Sequence, residues 1–115
     1  MIDITFDVFN KTTHLAHVRV NDNIVTAIAY TDDRIFTPFH LKNVTAEMVM
    51  RFLRNRCFES TRPDKDDILR ILGLKQYSVL DIVRVTHGVM AEDYIWLRFD
   101  GEDVNHVCYE KLFDR

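Results

Sequence analysis

Three features of the sequence predict an α+β fold. The opening alternates strictly between apolar and polar residues, the middle repeats apolar residues at helical spacing between recognisable caps, and a late alternating run surrounds the single tryptophan. In chain order this reads as an N-terminal three-stranded antiparallel meander followed by a helical segment, a late strand and a C-terminal helix. With 115 residues, 47% of them apolar, the chain fills one core, so a single α+β domain over 1–115 is expected.

Residues 2–9 place Ile2, Ile4, Phe6 and Val8 on one side and Asp3, Thr5, Asp7 and Phe9 on the other, the period of a half-buried strand. Asn10, Lys11 and Thr12 break the pattern. A second strand over 14–20 then sets Ala16, Val18 and Val20 on one face. Asn21, Asp22 and Asn23 form a turn, because Asn and Asp tolerate left-handed backbone angles, and a third strand follows over 24–30.

The periodicity changes after Pro38. Thr45 is placed to cap a helix over 46–54, with Met48, Val49, Phe52 and Leu53 inside and Arg51 and Arg54 outside. Pro63 suits the first turn of a second helix, whose apolar side is Ile68, Leu69, Ile71 and Leu72 and whose acids at 64, 66 and 67 complement the N-terminal dipole; Gly73 stops it. Ser78 with Asp81 resembles a capping box for a helix over 79–86, ended by Gly88. Residues 94–99 alternate around Trp96 as a strand that turns at Asp100 and Gly101, and a helix over 104–113, capped by Asp103, closes the sequence. Trp96, in an alternating strand, is expected in the core.

Composition narrows the function. Charged residues reach 29%, and Gly and Pro are scarce at 3 and 2, so the chain is expected to be ordered. The acidic start lacks the basic region of a signal peptide and no apolar run is long enough to span a bilayer, which predicts a cytoplasmic protein without membrane attachment. Cys57 and Cys108 are too far apart for a metal knuckle and read as reduced, buried side chains. The net charge of −3 is uneven, with local balances of −2 over 1–50, +3 over 51–75 and −4 over 76–115. A basic middle and an acidic end suit either self-complementary pairing, including a homodimer, or one patch facing an anionic partner.

No catalytic or cofactor signature is present. Gly73, Gly88 and Gly101 cannot build a phosphate cradle, and hydrolase, zincin and kinase motifs are missing. The histidines are His14, His17, His40, His87 and His106. His14 and His17, three apart in a strand, are expected on opposite faces; His106 and Cys108, two apart in a helix, also diverge, so zinc would need distant partners such as Cys57 and His87. His87 with Asp93 has the composition of an acid/base pair, but a histidine in the last turn of a helix is equally explained by the helix dipole. No catalytic residue, metal or cofactor is therefore assigned. The candidate contact surface is the basic cluster Arg51, Arg54, Arg56, Arg62, Lys65 and Arg70, whose guanidinium forks grip carboxylate or phosphate. A protein partner is the first expectation and nucleic acid the second; pairing with the acidic segment 92–110 is the ordinary alternative.

From Phe52 onward the order Arg56, Ser60, Thr61, Arg62, a helix ending at Gly73, then Gly88, Asp93 and Trp96 resembles the amino-terminal extension of HipA-like proteins of Firmicutes. There, an Arg-x-x-x-x-x-Arg segment, a helix and a Gly-x-x-x-x-Asp-x-x-Trp stretch precede a kinase-like domain. This chain carries Met90, Ala91 and Glu92 in place of small polar residues and has no kinase portion, so the resemblance implies no phosphotransfer. It implies an accessory module of a toxin–antitoxin type locus or a mobile element. The expectation is a non-enzymatic regulatory or inhibitory protein acting by stoichiometric protein–protein binding. The alternatives are a phage-encoded inhibitor of host defence such as an anti-CRISPR protein, a nucleic-acid-binding module, and, last, a small hydrolase or isomerase using His87 and Asp93.

Overall fold

The computed structural model describes residues 3–30, 43–104 and 106–113. It has the α+β architecture that the patterns predict. Strands β1 (Ile4–Asn10), β2 (Thr13–Asn21) and β3 (Ile24–Ala29) form the meander. Helices α1 (Ala46–Asn55), α2 (Lys65–Leu72) and α3 (Val79–Thr86) follow, then β4 (Ile95–Phe99) and a short α4 (Tyr109–Leu112). The late strand joins the meander's own sheet: β4 lies antiparallel beside β1, giving the order β3-β2-β1-β4.

Both hairpins turn on two residues. Asn10 pairs with Thr13 around Lys11 and Thr12, with Lys11 at φ 54°, and Asn21 pairs with Ile24 around Asp22 and Asn23 at φ 52° and 63°. Positive φ at both central residues of the second turn matches the right-handed twist of the strands, and Asp and Asn bear that conformation at low cost. Between the hairpins the ladder has a bulge: Val8 faces Ala16 while Phe9 faces His14, leaving Leu15 as the extra residue. Leu15 and Ala16 are consequently both buried, and the alternation reverses side there.

The sheet is covered on one face and in part on the other. On one, Phe6, Val8, Val18, Ile95 and Leu97 meet Val49 and Leu53 of α1, Leu69 of α2 and Ile82 and Val83 of α3 in the main core. Each such side chain, fully buried, contributes about 1.5–3 kcal/mol. On the other, Phe9 and Trp96 stack with ring centroids 4.3 Å apart and are covered by Val107 and Phe113. Trp96 is core, as its strand position predicts, and its indole N–H donates to the Lys11 carbonyl at 2.7 Å. The Arg98 guanidinium lies over the Phe9 and Trp96 rings, 4.7 and 5.4 Å from their centroids.

The caps act as their sequences suggest. Thr45 Oγ1 accepts the Met48 N–H at 3.2 Å and Ser78 Oγ accepts that of Asp81 at 3.4 Å. Gly73, at φ 78°, ends α2. Four expectations are corrected. The final helix is only Tyr109–Leu112, because Val107 and Phe113 are drawn into the small core, which a continuous helix over 104–113 would not present together. Its preceding residue is Cys108, not Asp103; the Asp103 carbonyl instead accepts the N–H groups of His106 and Val107 in a turn. Ile71, expected inside, is 82% exposed; α2 buries only Leu69 and packs Leu72. α3 is ended by His87 itself, left-handed at φ 56°, with Gly88 following at φ 68°. Among the described residues no helix is long and apolar enough to cross a membrane. The predicted change at Pro38, and His40, lie outside the described residues.

Candidate functional site

The basic cluster divides into three parts in space. Arg56, just past the end of α1, is 9% exposed and turned inward. Its Nη1 and Nη2 donate to the two carboxylate oxygens of Asp93, both at 2.8 Å, its Nε to the Gly88 carbonyl at 2.8 Å, and Nη2 also to the Ile95 carbonyl at 3.1 Å. Asp93 in turn accepts the Ile95 N–H at 3.0 Å. Burial raises the Asp93 pKa, but the Arg56 hydrogen bonds, the Ile95 N–H and the Arg56 charge outweigh it and hold the carboxyl below its ordinary value. Arg56 is therefore a strut tying the end of α1 to the α3–β4 loop, and it leaves the set of partner-contacting residues. Arg56, Gly88 and Asp93 meet in this one knot.

Arg51, Arg62 and Arg70 point outward but carry local carboxylates: Glu47 at 3.4 Å, Asp64 at 2.9 Å and Asp67 at 2.7 Å. The Arg62 hydrogen bond holds the Asp64 carboxyl below its usual range. Arg54 and Lys65 make no ion pair among the described residues.

Arg54 and Arg62 both line a groove of about 790 Å³ formed by the end of α1, the loop after it, Tyr77 and Met90. Phe58, Tyr77 and Met90 give it apolar walls, Ser60, Thr61 and Asn55 add neutral polar groups, and Glu59 adds one carboxylate. The Tyr77 ring meets the edge of Phe58 at 5.4 Å and its hydroxyl donates to the Phe58 carbonyl at 2.6 Å, which fixes the loop's shape. Phe58 was visible as an aromatic within the basic run; Tyr77 and Met90 carry no sequence signal, since they arrive from elements 19 and 32 residues away by packing.

Cys57 also borders the groove, but burial pushes its thiol up to about 11, against the opposing Arg56 charge. It stays protonated at neutral pH and is a poor nucleophile. His87 and Asp93 do not pair with each other: Asp93 belongs to Arg56, and His87 Nε2 sits 2.7 Å from Glu102 Oε2. The acid/base pair expected from their spacing is replaced by the Arg56–Asp93 ion pair and a separate His87–Glu102 hydrogen bond, because the left-handed turn at His87 and Gly88 sends the imidazole toward Glu102.

His14 and His17 lie on the same face, contrary to a simple alternation, because the Leu15 bulge intervenes. His14 Nε2 and His17 Nδ1 both reach Asp7 Oδ1, at 2.8 and 2.9 Å. The three groups satisfy each other directly. Among the described residues no group of His, Cys, Asp and Glu is arranged to hold a metal ion.

No protein-family model, curated protein or solved structure matches this chain.

Proposed function

We propose that this chain is a binding module without chemistry of its own, acting by stoichiometric contact with a protein partner through the groove lined by Arg54 and Arg62. The observation that carries the reading is the groove's make-up: the side chains of Arg54 and Arg62 line it together with Phe58, Tyr77 and Met90, and the Tyr77 hydroxyl on the Phe58 carbonyl holds the loop in shape. That arrangement suits an extended segment offering a carboxylate to Arg54, the groove arginine without a carboxylate of its own, and a large apolar side chain to Phe58, Tyr77 and Met90. The state of the reactive groups supports the same reading, since the thiol is protonated and the imidazole and carboxylates are engaged with one another. The resemblance to the HipA-like extension favours a regulatory role in a toxin–antitoxin type locus or a mobile element; a phage inhibitor of host defence, such as an anti-CRISPR protein, would use the same stoichiometric mechanism. Nucleic acid is disfavoured as the partner, because Arg51, Arg62 and Arg70 already face carboxylates and few cations remain for phosphates.

The test is affinity capture from the native host followed by titration of the purified pair. A one-to-one protein complex is expected, weakened at least about tenfold by Arg54→Glu, the loss of one good charged contact. Lys65→Glu on α2, outside the groove, serves as the control. Binding unchanged by Arg54→Glu, or a nucleic acid retained with steep salt dependence in place of a protein, would remove the reading.

A further inference from the structure

The sheet has two edges, β3 and β4. Along β4 the backbone is engaged: the Leu97 N–H donates to the His87 carbonyl at 2.8 Å and the Ile95 carbonyl receives Arg56 at 3.1 Å. Along β3, among the described residues, none of the usual guards is present. Residues 24–29, IVTAIA, include no charge and no proline, and the ladder to β2 runs from Ile24 to Ala29 without a bulge. Ile24, Ile28 and Tyr30 are 72%, 48% and 54% exposed.

Which backbone groups are open follows from the register. Ile24 closes the two-residue hairpin opposite Asn21, and the Tyr30 N–H donates to the Leu15 carbonyl at 2.8 Å. Even-numbered residues of β3 thus turn their N–H and C=O toward β2, and Val25, Ala27 and Ala29 turn theirs outward. A row of alternating donors and acceptors of this kind is matched by another strand, not by a helix or a small ligand.

We infer that β3 pairs antiparallel with β3 of a second copy of this chain, about a two-fold axis at Ala27, to make one continuous eight-stranded sheet. The sequence is self-complementary in that register. Ala27 faces Ala27, Val25 faces Ala29, Thr26 faces Ile28 and Ile24 faces Tyr30, so the outward backbone groups pair and each exposed apolar side chain gains an apolar or β-branched neighbour. No charged residue of β3 opposes its like. On the neighbouring strand β2, the two copies of Arg19 are three strand spacings or roughly 14 Å apart, beyond the screening length of about 8 Å at physiological salt. Assembly stops at two, because the edges left over are the β4 edges already engaged by Arg56 and His87. A strand from an unrelated protein would satisfy the same hydrogen bonds but not account for the two-fold match of side chains.

Sedimentation of the purified chain from about 1 μM to about 1 mM, with amide exchange measured at the dilute and concentrated ends, tests this. Expected is a mass rising to twice 13.6 kDa, with the amides of Val25, Ala27 and Ala29 slowing on dimerisation. Ala27→Pro removes an outward N–H without touching the ladder to β2, and Ile28→Lys places a charge on the stripe; each should raise the dissociation constant at least about tenfold while leaving the circular dichroism unchanged. A monomer throughout that range overturns the inference. So does a dimer that Ile28→Lys, still folded, leaves as tight as before, since it would be joined elsewhere.

Discussion

Along β4 the strand's outer rim is occupied by groups from elsewhere in the chain, a guanidinium arriving from position 56 and a carbonyl from position 87. Along β3, six residues of uncharged, mostly β-branched and small side chains stand with three large apolar groups in solvent. Both strands satisfy one neighbour through an ordinary antiparallel ladder, so the difference lies entirely in how each second edge is treated. Closing an edge with a side chain requires a long-range, desolvated ion pair whose cost is recovered only when every donor finds an acceptor, as at Arg56. Leaving an edge open saves that arrangement and exposes a template for pairing. The closed edge is finished within the chain, and the open edge is where a second copy is inferred to dock.

The sharpest way to break this contrast is to open the closed edge. Arg56→Ala leaves the Asp93 carboxylate half-buried without its cation and frees the Gly88 and Ile95 carbonyls. A loss of about 3–5 kcal/mol is expected, seen as a Tm lower by more than about 10 °C. Faster amide exchange at Ile95 and Leu97 than at Val18 or Val20 would place the damage at β4. A Tm within a few degrees of the parent would show that the knot is dispensable.

A smaller effect is expected from Gly88→Ala. A Cβ at that position would lie 3.1 Å from the Leu97 side chain and 3.4 Å from the Arg56 Cβ, at φ +68°. The left-handed backbone and the crowding together are expected to cost about 1–3 kcal/mol, measurable as a shift of the denaturation midpoint with an unchanged slope. The same change at Gly73, where φ is +78° but nothing lies within 4 Å, carries the backbone cost alone and should be milder. Equal losses at the two sites would mean that Leu97 yields freely.

How much of this contrast was legible in the sequence depends on the distance over which each feature is specified. The strands of the meander announce themselves because neighbouring residues alternate, and the helix starts at Thr45 and Ser78 because a cap acts across three residues. The third strand was legible too, but that its outer side is a sheet edge follows only from β4 joining β1. The closed edge was not: Arg56 and Asp93 are 37 positions apart, and an arginine in a basic run reads as surface until the fold turns it inward. The Leu15 bulge escaped because one inserted residue reverses the face of every later side chain, which is why His14 and His17 meet on Asp7. Of the groove, Arg54, Arg62 and Phe58 were visible in the basic run, whereas Tyr77 and Met90 reach it through tertiary packing alone.

The least costly perturbation is acid, and it should separate the two edges without any mutation. Asp93 has its pKa held below the unfolded value of 3.8 by Arg56 and the Ile95 N–H. A group depressed on folding contributes stability that is fully present above its unfolded pKa and is lost as the pH falls through the folded one. Unfolding free energy measured downward from about pH 5 should therefore decline below about pH 4, and the decline should shrink when Arg56→Met and Asp93→Leu are combined, since that replacement leaves no carboxylate to protonate. Strand β3 contains no titratable residue, so its outward amides should keep their exchange behaviour, relative to the rest of the sheet, across the same interval. An acid limb that the double replacement leaves intact would assign it to other groups and detach it from the closed edge.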